Sequence, residues 1–448
     1  MDSDHGSMAM GDVIRWLHIV RFRDLPAPAV QQAKQLLLDL LGVAAAGRGT
    51  KLAEISTGFA ATQLGGTPSA RILFDGRRAS PCGAAFAGAT LIDSFDAHDG
   101  HALTKGHAGV AVLPTVLALL DSGIVADGPE LLASLVMGYE IATRAGIALH
   151  ASACDYHTSG AWNALACAAI GARLLRLDGA CTRDAIGAAE YHGPRSQMMR
   201  CIAYPTMVKD GSGWGALAGL SAAHLAQAGF TGAPAVTVEN EVHAPLWADL
   251  GTRWRILEQY VKPYPVCRWA QPAMEAAASL VRAHGIESAR IVRVEVHTFA
   301  EAAALAGRAP RTTEEAQYSL PFPLAALLVR GHVGADEIGP AGLADPIILA
   351  LAGRVTLAAD PGLSRRFPDE RLAQVGLVLN DGTVLHSALT GARGDPADPL
   401  IDTEISAKFH TLAARLVPAR RRRIEDAVGA LDRGGDVPAL LDLVLQAT

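Results

Sequence analysis

Between Val13 and about Gly229, apolar residues recur at three- and four-residue spacing with few interruptions, the pattern of packed amphipathic helices. The clearest block is Pro26–Gly47, which opens on prolines and closes on a glycine, the usual punctuation of a helix. Similar blocks are Val110–Ser122, Gly128–Ser152, Ala161–Leu175, Thr182–Tyr191 and Gly215–Ala228. Small residues recur inside them and permit close approach of neighbouring helices. The pattern changes after Lys262. Arg290–Phe299 alternates apolar and polar positions with β-branched enrichment, which predicts a half-buried strand. Leu372–Leu379 and Thr383–Leu389 flank Asn380-Asp381-Gly382, a hairpin signal between two strands. Tyr318–Gly331 and Pro346–Ala352 read as helices between them, and Asp402–Ala447 returns to amphipathic helix. The expected fold is mostly α: a large all-helical domain over residues 1–268, a smaller α+β domain over 269–400, and C-terminal helices over 401–448 that pack back on the helical domain.

Composition agrees with this division. A chain of 448 residues exceeds a typical single core, and with half of it hydrophobic there is ample material to bury. A net charge of −6 gives no reason to expect nucleic acid, and the basic run Arg420–Arg423, followed directly by Ile424, Glu425 and Asp426, reads as a solvated helix face. Apolar runs such as Ala164–Ala172 are short, so no membrane span is expected. The six cysteines show no C-x-x-C spacing, as expected of reduced thiols in the cytoplasm. The polar, acidic N-terminal stretch is unlike a leader peptide, which fits the same location.

The chemistry concentrates in Asp93–Pro114, where Asp93, Asp96, His98, Asp99, His101, Lys105 and His107 lie among Gly100, Gly106 and Gly109. Titratable groups of both signs on bendable backbone suit proton transfer better than packing. Four further stretches stand out: Asp155–Gly160 with His157 at a turn, Tyr204–Gly213 with Lys209 before a helix, Lys262–Cys267 with a lysine beside two prolines, and Arg311–Pro323 carrying Tyr318. Arg268 follows Cys267 as a candidate carboxylate contact. Arg144 stands four residues after Glu140, which predicts a helix-surface ion pair. His192, Arg195 and Arg200 occupy a loop that could line a cleft.

In their order and spacing these stretches resemble the MmgE/PrpD family, which includes 2-methylcitrate dehydratases, cis-aconitate decarboxylases and iminodisuccinate epimerases. The resemblance rests on His107 to Pro114, the G-Y-E-x-x-x-R helix from Gly138 to Arg144, the His157 turn, Gly229–Gly232, the K-P-Y-P-x-C stretch from Lys262, and Pro399 to Phe409. It implies a helical domain with a smaller α+β lid, a homodimer, and no required metal or organic cofactor. It places His107, His157, Lys209 and Lys262 on the family's active-site histidines and lysines, and Asp96 on its first aspartate. This chain departs from the pattern at several points. Ala97, His98, Asp99 and Gly100 replace the acidic and hydroxyl run, Ala108 replaces a proline, and Lys209–Trp214 lacks the usual histidine. Gln271 stands where many relatives have histidine, and Phe322 takes a tyrosine position.

Proton removal beside a carboxylate accumulates negative charge, so a site needs a base near neutral pH and fixed cations where that charge develops. Histidine supplies the first and lysine the second. The resemblance therefore implies cofactor-independent elimination or decarboxylation of a small di- or tricarboxylate. His107 and His157 would act as base and acid, with Asp96 orienting or sharing the proton. Lys209 and Lys262 would hold carboxylates and stabilise the enediolate, and His98, His101, Lys105, Arg268 and Tyr318 would line the site. Isomerisation or epimerisation begins with the same proton abstraction and stays open. So does a metal-dependent lyase or hydrolase using Asp96, His98, Asp99, His101 and His107, although no H-E-x-x-H spacing is present. A relative that binds without catalysis is the third possibility.

Overall fold

The structure, a computed structural model, describes residues 4–447. The first three residues of the polar N-terminal stretch lie outside the described residues, as does Thr448. The large domain is built from α1 (Asp4–Ile19), α2 (Ala27–Gly47), α3 (Lys51–Gln63), α4 (Pro81–Asp93), α5 (Gly109–Asp121), α6 (Gly128–Ser152), α7 (Gly160–Leu174), α8 (Gly179–His192), α9 (Met198–Ala203) and α10 (Ser212–Gln227). Local chemistry sets several starts. Ser80 accepts the amide of Gly83 ahead of Pro81, and Asp127 accepts that of Glu130 ahead of α6. Small residues then set helix spacing. A side chain at Gly219 of α10 would meet the Ala164 carbonyl oxygen of α7 at 2.1 Å, and one at Gly213 would meet Thr90 Oγ1 of α4 at 2.1 Å. α10 therefore packs backbone-close against both. By length and composition α6 could cross a membrane, but 94% of its most apolar window is buried inside the protein, so it serves as a core helix.

Short ribbons hold the chemistry-bearing loop against the domain junction. Strands β1 (Ala70–Arg71) and β2 (Arg78–Ala79) pair with each other, and β3 (Gly100–His101) pairs antiparallel with β4 (Gln259–Tyr260). The smaller domain opens with α11 (Gln271–His284) and β5 (Ile291–Thr298), followed by α12 (Pro321–Arg330), α13 (Pro346–Ala352) and β6 (Val355–Ala359). Its sheet is completed by β7 (Leu372–Leu379), β8 (Val384–His386) and β9 (Thr390–Gly391). The strand order is β6-β5-β7-β8, with β9 also on β7. β5 and β6 run parallel, and the other pairs are antiparallel. Gly382 supplies the positive φ of 85° that the β7–β8 turn needs. This is the mostly α architecture with a smaller α+β domain that the pattern predicts.

Two details differ from expectation, and the C-terminal segment is divided at defined points. The closing segment forms separate helices α14 (Asp402–Leu412), α15 (Pro418–Ala430) and α16 (Val437–Val444), because Pro418 and Gly434-Gly435 interrupt it. α14 lies on α2, with the Phe409 backbone 3.1 Å from where a Gly42 side chain would begin. The Arg420–Arg423 run is only partly solvated. Arg420 donates to the carbonyls of Leu443, Gln446 and Ala447, capping α16, and Arg421 donates to His410 O. The Glu140–Arg144 pair forms at 3.3 Å, but in the interior, where Arg144 also binds Asp249 and the carbonyls of Leu246 and Arg253.

Candidate active site

The loop after α4 turns back along β3, and this reversal gathers Asp96, His98 and His107 in the interior. The rings of His98 and His107 meet edge to face with centroids 4.2 Å apart. His107 Nδ1 lies 2.6 Å from the carbonyl oxygen of Asp99. A carbonyl only accepts, so Nδ1 carries the proton and Nε2 keeps its lone pair. The backbone around His107 is fixed as well: its N–H donates to Ser159 Oγ at 2.9 Å, and its carbonyl accepts from Asn163 Nδ2 at 3.0 Å. His98 Nε2 is buried without a hydrogen-bond partner, 3.5 Å from Asp96 Oδ1 and 3.8 Å from Asp93 Oδ1. Burial and then the Lys262 ammonium push His98 down to about 3 and hold His107 well below the ordinary imidazole value. Both rings are therefore neutral at physiological pH.

Cations face these rings. Lys262 lies 2.5 Å from Asp96 Oδ1 and is itself fully buried. Burial alone would raise the Asp96 carboxyl, but Lys262 and then Lys209 outweigh it and hold Asp96 far below the carboxylate range. Lys209 reaches the site from the turn before α10, where its φ of 47° is sparsely populated for a side-chain-bearing residue. Its Nζ donates to Gln317 Oε1 at 2.6 Å and sits 4.6 Å from the centre of the Tyr318 ring. Gln317 Oε1 also accepts the Asp96 amide at 2.9 Å, while its Nε2 donates to Ser94 O and Thr313 Oγ1. The smaller domain thus closes over the cluster with one amide side chain and one phenol. Gln317 escaped the sequence reading, because a neutral amide carries no chemical signal until its partners are known.

A second tier of buried carboxyls surrounds the cluster. Ser159 donates to Asp210, and Asp93 Oδ2 accepts the amides of Asp210 and Ser212 at 3.2 and 3.4 Å. Burial and then the neighbouring Asp93 push Asp210 up to about 8. Burial and then Asp39 push Asp99 up to about 7. Lys408 of α14 pairs with Asp39 at 2.6 Å and donates to Ala97 O at 2.7 Å, so the closing helix anchors the loop from behind.

The remaining sequence candidates lie outside this group. His157 faces Asp155 at 3.9 Å and Arg195, its amide meets His150 Nε2 at 3.1 Å, and its backbone bridges to Gln197. None of these partners belongs to the Asp96–His98–His107 cluster. Its neighbours Thr158 and Gln197 instead line a cavity of about 270 Å³ that also touches Arg200 and Lys209. His101 pairs with Glu258 at 2.9 Å. Lys105 lies 4.8 Å above the Tyr156 ring. Arg268 is taken up by Asp395 at 2.6 Å and by the carbonyls of Ala392 and Arg393, an interior clamp between segments of the chain. Gln271 donates to the carbonyls of Tyr264 and Val266 and so shapes the loop that carries Lys262.

Residues 12–243 match the MmgE/PrpD N-terminal domain, and residues 264–433 match the MmgE/PrpD C-terminal domain. The chain belongs to the MmgE/PrpD family. This MmgE/PrpD protein is 25% identical to the cis-aconitate decarboxylase-like protein oryM of Aspergillus oryzae, over 99% of this chain and 98% of that one. It is likewise 25% identical to a cis-aconitate decarboxylase of Aspergillus terreus, over 99% and 97% of the two chains. Family and relatives together support a lyase of the dehydratase or decarboxylase type.

Proposed function

We propose that this protein is a cofactor-independent lyase acting on a small di- or tricarboxylate, with His107 exchanging a proton at the carbon next to a carboxylate. The observation that carries the reading is the neutral His107 ring, its protonated nitrogen tied to a carbonyl, set beside Asp96, whose carboxylate the Lys262 and Lys209 ammonium groups hold ionised. In a dehydration, His107 Nε2 takes the α-proton, the electron pair passes into the carboxylate as an enediolate, and hydroxide leaves with a proton from a buried acid. In a decarboxylation, the C–C bond breaks, carbon dioxide leaves, and the electron pair left on carbon takes a proton from a buried acid such as the Asp210 carboxyl. Lys209 and Lys262 lower the energy of the dianionic intermediate in either case. Nothing in this sequence of steps requires the site to be open during chemistry. The buried cluster must open for entry, and the contacts of Gln317 and Tyr318 with Lys209 are the ones that would separate.

The decisive test is a panel of citrate, 2-methylcitrate, cis-aconitate and iminodisuccinate, followed by NMR in deuterated water. Loss of water or carbon dioxide is the expected outcome. Solvent deuterium entering an acid without elimination would replace the lyase by an isomerase or epimerase. A second reading has one observation in its favour: donor atoms of Asp96, His98 and His107 all lie within 4.8 Å of one another, close enough for a divalent ion. Against it, the Lys262 ammonium already occupies Asp96 and would repel a cation at the same place. Stoichiometric metal in the purified protein, with activity lost to chelators and restored by the ion, would establish that reading instead.

A further inference from the structure

A cavity of about 520 Å³ opens between α3, α4 and the start of α10. Its outer walls are Leu52, Ile55, Phe59, Phe86, Met207 and Trp214. Phe59 and Phe86 meet edge to face at 5.9 Å, as do Phe86 and Trp214 at 5.1 Å, which makes a continuous aromatic wall. Ile55 and Trp214 are 50% and 54% exposed, more than a packed core tolerates and in keeping with a surface kept open for an apolar guest.

The cavity leads towards the cluster described above. Phe86, Thr90 and Asp93 all line it, and at i, i+4 and i+7 they share one face of α4. That face therefore runs from the aromatic mouth to a carboxyl 3.8 Å from His98 Nε2. Among the described residues, the charged ones in its lining are Asp93 and Lys209, both buried beside the cluster. Among the described residues, the outer part offers no cation for a second or third carboxylate. It offers apolar surface.

We infer that this cavity is the subsite for an alkyl or aryl substituent, so that the substrate is a carboxylate bearing a sizeable apolar group, its carboxyl end held by the lysines and its apolar end lodged between Phe59, Phe86 and Trp214. The inference rests on the lyase reading for the identity of the reacting end. Trp214 belongs to the stretch in which this chain departs from the family pattern, so the departure supplies one wall of the subsite.

The test measures binding by calorimetry and turnover by NMR, on the full chain, for citrate and for citrates carrying methyl, butyl, hexyl or benzyl groups at the 2-position. Affinity is expected to rise about fourfold per added methylene until the cavity is filled. Ile55→Trp, which fills the mouth, and Trp214→Ala, which removes a wall, should each cut the preference for hexyl over methyl by about tenfold. Both positions are exposed, so two separate variants keep the test valid if one folds poorly. Affinity that ignores chain length, or a preference unchanged in both variants, overturns the subsite. Turnover of citrate with no chain-length dependence would overturn it while leaving the lyase reading intact. Chain-length-dependent binding without turnover would support the subsite and remove the lyase. If light scattering shows an assembly that Ile55→Glu splits into single chains, the face is an interface between copies and the subsite is overturned.

Discussion

Asp96 and Asp99 stand three residues apart and are shifted in opposite directions: burial raises both, but at Asp96 the Lys262 and Lys209 ammonium groups outweigh it, while at Asp99 the neighbouring Asp39 carboxyl adds to it. The depressed Asp96 contributes stability that is fully present above the unfolded carboxylate value near ~3.9 and is lost only as pH falls through its lower folded value. Lys262→Met should therefore cost about 3–5 kcal/mol across the neutral range by leaving a buried charge unpaired. Adding Asp96→Asn should recover much of that loss, a comparison made by denaturant unfolding of both variants. Asp99 has the reverse sign. Its folded value of about 7 exceeds the unfolded one, so its proton is held more tightly in the folded state, and stability falls as pH rises between ~3.9 and that value. Asp99→Asn should then gain melting temperature relative to the native chain at pH 8 and show little difference at pH 4. An equal difference at both values would mean that Asp99 is ionised throughout.

At the scale of elements, the long helices were legible because burying one face leaves a periodic trace, and α6 matched its expected bounds of Gly128–Ser152. The pairing of β3 with β4 was not, since two residues of strand carry no period. β6 was missed for a related reason: Val355–Ala359 is short and mostly solvent-facing. The small residues that allow α10 to touch α7 were visible in the sequence as a tendency, and the structure makes them specific. Gly219→Ala should place a methyl against the Ala164 carbonyl and cost about 1–3 kcal/mol, read as a lower melting temperature. A variant as stable as the native chain would mean that the two helices are not packed this closely.

Across the whole molecule, the site joins residues from Asp93 to Lys408, and sequence reading recovered its charged members better than its supports. His107, Asp96, Lys209 and Lys262 could be found because chemistry and family resemblance both marked them. His101 and Arg268 sat in equally promising stretches, yet their side chains are taken up by Glu258 and Asp395. Proximity along the chain says nothing about which way a side chain turns. Gln317 was hidden because its value lies in joining Lys209 to the Asp96 backbone across the domain boundary. Gln317→Leu should misplace both groups and lower kcat/KM by about 10²-fold with the fold intact by circular dichroism. An unchanged rate would remove the smaller domain from the catalytic arrangement. The most direct test of the whole account is kcat for His107→Asn against the native chain on whichever acid the panel identifies. A fall of about 100-fold or more with unaltered folding is the predicted result, and near-native turnover would contradict the assignment of proton transfer to this ring.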